Sequence, residues 1–513
     1  MSERTRRREK PRHFDHTQQA APPGLPGGRY RPLDDADVAR IHEAALSVLE
    51  RTGVHVVDSE ARRILSAAGA TVDTRYDRVH FPRTLVAQAL AIANRQVVLP
   101  SRDGRTDLDL RSGRVHLGTG GAAVLVLDLE TGQARESALR DLYDIGRLVD
   151  ALDNIHFYLR PVVPRDLDSD IVDVNTFYAC LSATGKHVMG GCYFPHKVAD
   201  LKKVAVLIAG SDEAFRARPF FSLNLGYMVS PLKFAPETAE TLTAAVRAGF
   251  PVVLIAAPLS GATAPAALAG TLVQVMAETL AGLTYVQLLN PGHPLLMGNM
   301  PLIADLRTGN MVGGSAELAL MNAACAQICQ SYGLPIYNTC GIADSKLPDA
   351  QAGYETALTV AVTALAGAEF NHHAAGMLES LMAVAYEKYV IDDDINAMVM
   401  RLLRGIDLSE EALSLDVIHQ VCHEEGHYLG QPQTLERMQS EYIYPQAGDR
   451  RTRRDWERDG SPDTRELARR RARAILTDHF PPGLPAEVDA HIRDTFPIRL
   501  PAEIMKQGGY RPL

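Results

Sequence analysis

Short apolar runs alternate with amphipathic helix patterns eight times in the middle of this 513-residue chain. A strand followed by a helix, repeated in this way, predicts parallel strands joined by helical crossovers. Eight such strands close a barrel whose interior is filled by side chains, so the predicted fold is α/β, a TIM-type (βα)8 barrel. The runs are 115–128, 155–163, 187–194, 219–229, 251–257, 294–299, 334–341 and 368–373.

An open, doubly wound sheet is the alternative arrangement of the same elements. Sheets of that kind that bind dinucleotides carry G-x-G-x-x-G after an early strand, and no early strand here is followed by that motif. The GTGG at 118–121 lacks the spacing and is interpreted as an ordinary turn. The barrel is therefore the preferred interpretation.

The patterns on either side of the repeat divide the chain into four parts. Residues 1–29 are basic and then rich in Pro and Gly, which predicts a disordered tail. Residues 30–112 alternate short helices with turns and are interpreted as an N-terminal helical subdomain. The barrel is assigned to 113–384, and the charged, helical remainder, 385–513, to a C-terminal extension.

Charge and composition exclude several classes of protein. The net charge of −9 provides no global positive field to hold nucleic acid. Six cysteines without C-x-x-C or a short repeating framework are typical of intracellular proteins. The N-terminus lacks the apolar segment of a secretory signal, and prolines interrupt the apolar region 251–289. We therefore expect a cytoplasmic protein with neither a membrane nor a nucleic-acid partner.

The stretch HEEGH, from His423 to His427, matches the H-E-x-x-H signature of zinc proteases. Two histidines four residues apart bind one zinc ion only if they lie on one continuous helical face. Gly426 lies between them, where a helix usually ends in a left-handed cap. Gln433 stands where the longer metzincin motif has a third histidine. A zinc hydrolase is therefore the weak alternative, and no metal is expected.

In a barrel of this type the functional site lies at the carboxyl ends of the strands and in the loops that follow. The residues at those ends are mainly glycines, amides and aromatic residues, with few charges. This composition indicates neither a phosphate site nor a hydrolytic metal site. The strand-end residues are Arg160, Gly190, Gly191, Cys192, Tyr193, Asn224, Tyr227, Asn299, Asn338, Cys340, His372 and His373.

Three long segments in one order carry a resemblance to a known family. They are GLPIYNTCGIADSKLPDAQAGYETALT, AAGMLESLMAVAYEKYVIDDDI and LRGIDLSEEALSLDVI…GHYLGQPQTLERM. With these segments the chain resembles the trimethylamine:corrinoid methyltransferase family. The last segment contains the end of HEEGH, so the protease signature is interpreted as a coincidence within a motif of this family.

The resemblance implies a barrel enzyme that passes a methyl group to cob(I)alamin held by a separate corrinoid protein. No cofactor is then expected to be tightly bound to this chain. The archaeal namesake carries pyrrolysine, whereas this chain contains only the standard residues and resembles the non-pyrrolysine branch, which includes glycine betaine methyltransferases. A quaternary ammonium already has a neutral tertiary amine as its leaving group, so we expect a quaternary amine, glycine betaine or a related betaine, as the methyl donor.

A betaine site needs aromatic faces around the cation and donors for the carboxylate. No catalytic residue is assigned. A non-corrinoid barrel enzyme and a non-catalytic betaine-binding barrel protein are kept as alternatives, and homo-oligomer formation is left open. The predicted substrate-binding residues are Tyr193, Asn224, Tyr227, Asn299, Asn338, Phe370, His372, His373 and Glu379.

Overall fold

The computed structural model describes residues 20–111, 113–423 and 426–510, and the fold is mixed α/β. Its elements are numbered along the chain. The part before residue 113 contains short strands and three helices in the described residues: β1 (Leu25–Pro26), α1 (Asp35–Arg51), β2 (Val54–His55), α2 (Ser59–Ala67), β3 (Thr71–Asp73), β4 (Arg78–His80), α3 (Arg83–Ile92), β5 (Val98–Leu99) and β6 (Leu108–Asp109).

Strands and helices alternate in the middle of the chain. Up to residue 260 they are β7 (Arg114–Leu117), β8 (Leu125–Leu127), β9 (Ala134–Glu136), α4 (Leu139–Ala151), β10 (Tyr158–Leu159), α5 (Ser169–Ala183), β11 (Val188–Gly190), α6 (Lys197–Ala209), α7 (Asp212–Ala217), β12 (Phe221–Leu225), β13 (Met228–Val229), β14 (Lys233–Phe234), α8 (Pro236–Ala248), β15 (Val252–Ala256) and β16 (Leu259–Ser260).

The alternation continues to residue 385, and the remainder is helical. The elements are α9 (Leu268–Leu289), β17 (Leu295–Asn299), β18 (Leu302–Ala304), β19 (Met311–Val312), α10 (Ala316–Tyr332), β20 (Tyr337–Thr339), α11 (Ala350–Leu365), β21 (Phe370–His372), β22 (Met377–Leu378), a 3₁₀ turn (Glu379–Leu381) and β23 (Ala383–Ala385). They are followed by α12 (Tyr386–Arg404), α13 (Glu410–Leu413), α14 (Leu415–His423), α15 (Pro432–Ser440), α16 (Arg453–Arg458), α17 (Thr464–Asp478), α18 (Ala486–Thr495) and a 3₁₀ turn (Ala502–Met505).

Eight parallel strands, one from each predicted apolar run, form the centre of the protein; we call them the core strands. β10, β11, β12, β15 and β17 pair in that order in one sheet. β20, β21 and β7 pair in parallel in a second sheet. Single parallel bridges, from Gly118 to Phe157 and from Met297 to Ile336, link strands of the two sheets. The carboxyl ends of the core strands, which we call the mouth, therefore lie on one side of the molecule.

The opposite, amino-terminal side of the core strands is covered by the β5–β6 hairpin. Leu99 and Leu108 of this hairpin pack in one buried cluster with Phe157, Tyr337 and Phe370 of the strand region. His187, which directly precedes β11, lies 2.8 Å through Nδ1 from the Pro100 carbonyl in the hairpin. The hairpin therefore packs against the end of the core strands that lies opposite the mouth.

Among the described residues one helix, α9, is long and apolar enough to cross a membrane by length and composition, but 78% of its apolar 18-residue window is buried within the protein. It packs against α1, α3, β15 and β17. Its apolar character is thus explained by its position between the core strands and the N-terminal helices.

The predicted disordered tail is only partly within the described residues, because 1–19 lie outside them. The rest of that stretch is ordered: β1 pairs in antiparallel fashion with β7, Leu25 opposite Val115. A side chain at Gly27 would lie 2.4 Å from the Ala364 carbonyl, so this close approach requires glycine. The predicted disorder therefore does not extend to residues 20–29. The N-terminal part also contains strands, and β2 pairs with β14 from the middle of the chain.

Glu369 joins three strands at the amino-terminal side. It precedes β21, and its two carboxyl oxygens accept hydrogen bonds from Gly113 N at 3.0 Å and Ile336 N at 3.2 Å. These amides lie just before the two neighbouring strands, β7 and β20. Burial raises the pKa of Glu369 to about 8, against the lowering effect of the two hydrogen bonds.

This raised pKa predicts a pH-dependent stability. The folded protein keeps the Glu369 proton that the unfolded chain loses near its ordinary pKa of 4.5. The contribution to the free energy of unfolding is therefore full below pH 4.5 and is lost as the pH rises to about 8. We expect Glu369→Gln, which resembles the protonated acid, to flatten this slope in chemical denaturation at several pH values. Equal slopes for the two proteins would contradict the prediction.

Candidate functional site

Arg160 is the buried charge at the mouth. It directly follows β10 and is only 8% exposed. Its Nη1 donates to the Tyr193 hydroxyl at 3.0 Å, whereas Nε is buried without a hydrogen-bond partner. Among the described residues, no carboxylate lies within 4.0 Å of the guanidinium. Burial raises the pKa of the nearby Asp173 carboxyl, and the charge of Arg160 acts against this rise, so Asp173 is a counter-charge at longer range. A buried guanidinium with an unused Nε donor and no direct ion pair is suited to bind a carboxylate from a ligand.

Residues from three neighbouring strands surround this guanidinium. A side chain at Gly191 would lie 3.4 Å from Arg160 Nη2 and 3.8 Å from Asn224 Oδ1, so glycine leaves space between the two groups. Tyr193 is positioned through its backbone amide, which donates to the buried Asp173 carboxylate at 3.1 Å. Tyr193 is 42% exposed and therefore in contact with solvent at the mouth.

Tyr337 on β20 completes this group, which we call the Arg160 cluster: Arg160, Gly191, Tyr193, Asn224 and Tyr337. Burial raises the pKa of Tyr337, while contact with Asn224 and the charge of Arg160 act in the lowering direction. No hydrogen bond of normal geometry joins Asn224 Oδ1 to a described residue. Asn224 Oδ1 is therefore an acceptor that a ligand could use.

An aromatic stack lies beneath the cluster, inside the core strands. The ring centroids of Phe157 and Phe370 are 3.7 Å apart, those of Tyr337 and Phe370 5.5 Å, and those of Tyr337 and His372 3.8 Å. Each pair is close to parallel, with interplanar angles of 18° to 20°. The stack places flat, uncharged faces at the centre of the protein.

His372, the last ring of the stack, and its neighbour His373 are neutral. Burial lowers the pKa of His372 well below its ordinary value and that of His373 to about 3. His372 Nε2 is hydrogen-bonded to Thr339 Oγ1 at 2.9 Å, and both Nδ1 atoms are buried without a partner in the described structure. His373 has φ +64°, so it leaves regular strand geometry directly after β21. Neither imidazole supplies a positive charge near neutral pH.

Glu379 lies at the mouth, in a segment with an unusual backbone conformation. Glu379, Ser380 and Leu381 have φ values of 51°, 50° and 82°, a left-handed conformation that costs about 1–2 kcal/mol per non-glycine residue. Asp344 holds this segment, because its Oδ1 accepts from Ser380 Oγ at 2.5 Å and from Gly313 N at 2.7 Å. The half-buried Glu379 carboxylate itself makes no hydrogen bond or ion pair to the described residues. Strain of this kind is common at functional sites.

Three of the predicted site residues are committed to contacts with α9 and α10. Tyr227 Oη donates to the Glu278 carbonyl at 2.6 Å. Asn299 Nδ2 donates to Thr279 Oγ1 at 2.9 Å, and Asn338 Nδ2 donates to the Asn322 carbonyl at 3.2 Å. Successive strand residues point to opposite faces, and these two asparagines face the helices. The structure thus separates them from Tyr193, Asn224, Phe370, His372 and His373.

Arg160 is the residue that the sequence-based selection missed. It appears among the strand-end residues, but the predicted substrate-binding set favours aromatic and amide side chains. The sequence does distinguish Arg160, because it is the one arginine or lysine among those strand-end positions. What the sequence does not reveal is that, among the described residues, no carboxylate forms a direct ion pair with Arg160, which depends on the fold.

The HEEGH stretch does not form a helical pair of ligands. α14 ends at His423, whose Nδ1 lies 2.7 Å from the His419 carbonyl, and Gly426 has φ +71°. His427 therefore follows the end of the helix; Glu424 and Glu425 lie outside the described residues. Gln433 Nε2 donates to the Glu411 carbonyl at 3.0 Å. In the described ranges no group of three or more His, Cys, Asp or Glu residues could hold a metal ion.

Exposed apolar side chains surround the mouth. Each lies in a loop or hairpin that follows a different core strand, and we call this set the rim. Such side chains are typical of a surface that contacts another molecule. The rim comprises Tyr193, Val229, Leu306, Leu347 and Met382.

Comparison with known proteins identifies clear relatives. A family model described as trimethylamine methyltransferase (MTTB) matches residues 2–503. A trimethylamine methyltransferase of Desulfitobacterium hafniense is 34% identical over 90% of this chain and 92% of its own length. A glycine betaine methyltransferase of another strain of that organism is 30% identical over 91% and 96%. The crystal structure of Methanosarcina barkeri monomethylamine methyltransferase is 14% identical over 88% of this chain and 95% of its own, with a TM-score of 0.42, too low to establish a shared fold.

Because His427 lies beyond the end of α14, which ends at His423, we predict that zinc has no structural role. We expect the midpoint of thermal unfolding to stay unchanged when EDTA is added, because a structural zinc ion would contribute folding free energy directly. Differential scanning calorimetry with metal analysis of the same sample tests this. One zinc ion per chain, with a lower midpoint after its removal, would show that a site exists.

Proposed function

The chain belongs to the trimethylamine methyltransferase family and is a methyltransferase, and we propose that its methyl donor is a betaine. A betaine carries a quaternary ammonium group and a carboxylate. Glycine betaine, the smallest such compound with three N-methyl groups, is the first candidate. The acceptor in this proposal is a corrinoid in the cob(I)alamin state, carried by a separate protein.

The observation that carries the choice of a betaine is the buried Arg160 guanidinium without a carboxylate partner. A buried charge is costly unless it is paired and hydrogen-bonded. The carboxylate of a betaine would supply the missing partner, whereas trimethylamine has no anionic group. Asn224 and the Tyr193 hydroxyl lie beside Arg160 and would limit how the carboxylate is oriented.

The other end of the substrate would be held by uncharged aromatic faces and by Glu379. Aromatic faces attract cations, and the neutral His372 adds no repulsion. The half-buried Glu379 carboxylate, without a partner in the described residues, would balance the ammonium charge at the mouth. This chain then binds and orients the methyl donor, and the corrinoid supplies the nucleophilic cobalt when it is present.

The protonation state of the buried His372, His373 and Tyr337 side chains favours a quaternary substrate. A methyl group leaves a quaternary ammonium with a neutral tertiary amine as the other product, so no proton has to be delivered. His372 in the stack and the adjacent His373 are neutral, and burial holds the Tyr337 pKa above its ordinary value. Neither imidazole is therefore a strong general acid near neutral pH.

We also propose that the core strands form a closed (βα)8 barrel. The two parallel bridges between the sheets support closure, because they link β7 to the segment before β10 and β17 to the segment before β20. The mouth would then be the opening that faces the corrinoid protein, which would dock on the rim. The exposed apolar side chains of the rim fit such a partner.

The role of Arg160 is tested by comparing two cations that differ in the carboxylate. We expect Arg160→Met to weaken glycine betaine binding by about 10- to 100-fold, because a hydrogen-bonded charge pair is lost. Tetramethylammonium, which has no carboxylate, should bind both proteins equally. Isothermal titration calorimetry measures both ligands, and Arg165→Met, an exposed arginine in the same loop, is the matched control.

Equal loss of both ligands in Arg160→Met would point to damage of the whole site rather than to a lost carboxylate contact. Unchanged glycine betaine binding would overturn the assignment of Arg160. Binding of trimethylamine, with no binding of any betaine, would replace the betaine by a tertiary amine as the substrate.

The reaction itself is tested with cob(I)alamin and the purified chain. We expect glycine betaine to yield methylcobalamin and dimethylglycine in equal amounts, because one methyl group moves per turnover. Absorbance follows the cobalamin, and mass spectrometry follows the amine product. Betaine binding without methyl transfer, also when corrinoid protein is supplied, would favour the non-catalytic betaine-binding alternative.

A further inference from the structure

Asp173 is a buried acidic residue on α5 that ties this helix to the loop after β11. It is only 3% exposed. Its Oδ2 accepts a hydrogen bond from the Tyr193 amide at 3.1 Å, and the Cys192 thiol lies 3.6 Å from the same oxygen. The Tyr193 hydroxyl in turn accepts from Arg160 Nη1 at 3.0 Å, and the guanidinium lies 5.4 Å from the centre of the Tyr193 ring. Asp173 is therefore linked to the Arg160 cluster through one rigid side chain.

Few hydrogen-bond donors offset the burial of Asp173. Asp141 is a useful comparison, because it is also buried but accepts from both terminal nitrogens of Arg135, from the Ala138 amide and from the Tyr386 hydroxyl. Asp173 has one amide and one thiol, which is a weak donor. Among the residues that the structure describes, no lysine, arginine or histidine nitrogen lies within 4.0 Å of its carboxyl group. The ionised form of such a group is costly.

The charged and titratable groups around Asp173 come from three elements. Arg160 follows β10, Cys192 follows β11, and Lys197 begins α6; all three act to lower the pKa of Asp173, whereas burial raises it and has the larger effect. Burial and the charges of Asp173 and Asp200 raise the pKa of the Cys192 thiol. Cys192 therefore remains a neutral donor, and the charge on Asp173 is set by burial against two nearby cations.

We propose that Asp173 is a positioning residue that sets the strength of carboxylate binding at Arg160, and that the protein takes up a proton at Asp173 when a betaine binds. This inference rests on the proposed function, in which Arg160 binds the carboxylate of the substrate. An ionised Asp173 compensates part of the Arg160 charge and repels a second carboxylate.

When a betaine binds, two carboxyl groups share the field of one guanidinium. In such an arrangement one of the two anions is favoured to accept a proton. The carboxylate of a betaine is the weaker base, because its own ammonium group stabilises the anion. Asp173 is buried with few donors, so it is the group that accepts the proton, and the proton comes from solvent.

This arrangement fixes the direction of the pH dependence. Binding is strongest where Asp173 is already protonated, so the affinity for a betaine rises as the pH falls through the pKa of Asp173. Burial holds that pKa above its ordinary value of 3.8. Tetramethylammonium has no carboxylate and does not require this proton. Protonation of Glu379 would affect the ammonium groups of both ligands alike, so the ratio of the two affinities isolates Asp173.

Isothermal titration calorimetry of the full chain with glycine betaine and tetramethylammonium tests the proton uptake. Titrations between about pH 5 and 8, in two buffers of different ionisation enthalpy at each pH, count the protons exchanged with solvent. We expect glycine betaine to bind with uptake of a fraction of a proton that tetramethylammonium does not show. We also expect the ratio of the two affinities to rise as the pH falls.

Asp173→Asn removes the charge and keeps an oxygen that can accept from the Tyr193 amide. We expect this variant to bind glycine betaine about 3- to 10-fold more tightly than the unmodified protein near pH 8, because a nearby like charge is removed. The difference should vanish towards low pH, and the proton uptake should be lost. Asp170→Asn makes the same change at an exposed position of the same helix and should keep the profile of the unmodified protein.

Asp173→Ala separates the hydrogen bond from the charge. Both variants remove the charge, but only alanine leaves the Tyr193 amide without its acceptor. The Tyr193 hydroxyl is then no longer fixed beside Arg160. We therefore expect the alanine variant to bind glycine betaine more weakly than Asp173→Asn at every pH.

Equal proton uptake with both ligands, or an Asp173→Asn variant with the pH profile of the unmodified protein, would overturn the proposal. Equal affinities of the asparagine and alanine variants would overturn the positioning role. If circular dichroism shows that the variants are unfolded, the comparison of the two ligands in the unmodified protein decides. A different result, glycine betaine binding that is absent or that Arg160→Met leaves unchanged, would refute the proposed function itself.

Discussion

The parallel pairing of the core strands is the constraint on which the rest of the structure depends. It brings all eight carboxyl ends to one side, and its alternation decides which side chains enter the interior. Asn299 and Asn338 lie at strand ends, as Asn224 does, yet their amides bind α9 and α10. Asn224 instead faces Arg160. A shift of one residue in any strand would exchange these roles.

The sequence predicted the eight core strands well, because each is a short apolar run bounded by helix signals. It could not predict which strand-end residues converge. The run 115–128, for example, contains β7 and also β8, which pairs outside the core strands with β23 and β9. The sequence also did not predict that residues 20–29 are ordered. The position of β1 is set by its pairing with β7 and by the close backbone approach that Gly27 allows, and not by its own composition. Both failures concern contacts between distant parts of the chain.

The left-handed segment Glu379–Leu381 couples the positions of three loops at the mouth. Asp344 connects it to the loop after β20, and through Gly313 to the loop after β17. A displacement of any of these loops must move the Glu379 carboxylate, since three consecutive residues in this conformation have few alternative orientations. Evolution of the loops for a longer or bulkier substrate would therefore be coupled: a change in one loop would require adjustment in the other two, and single substitutions there should rarely alter substrate preference without a loss of stability.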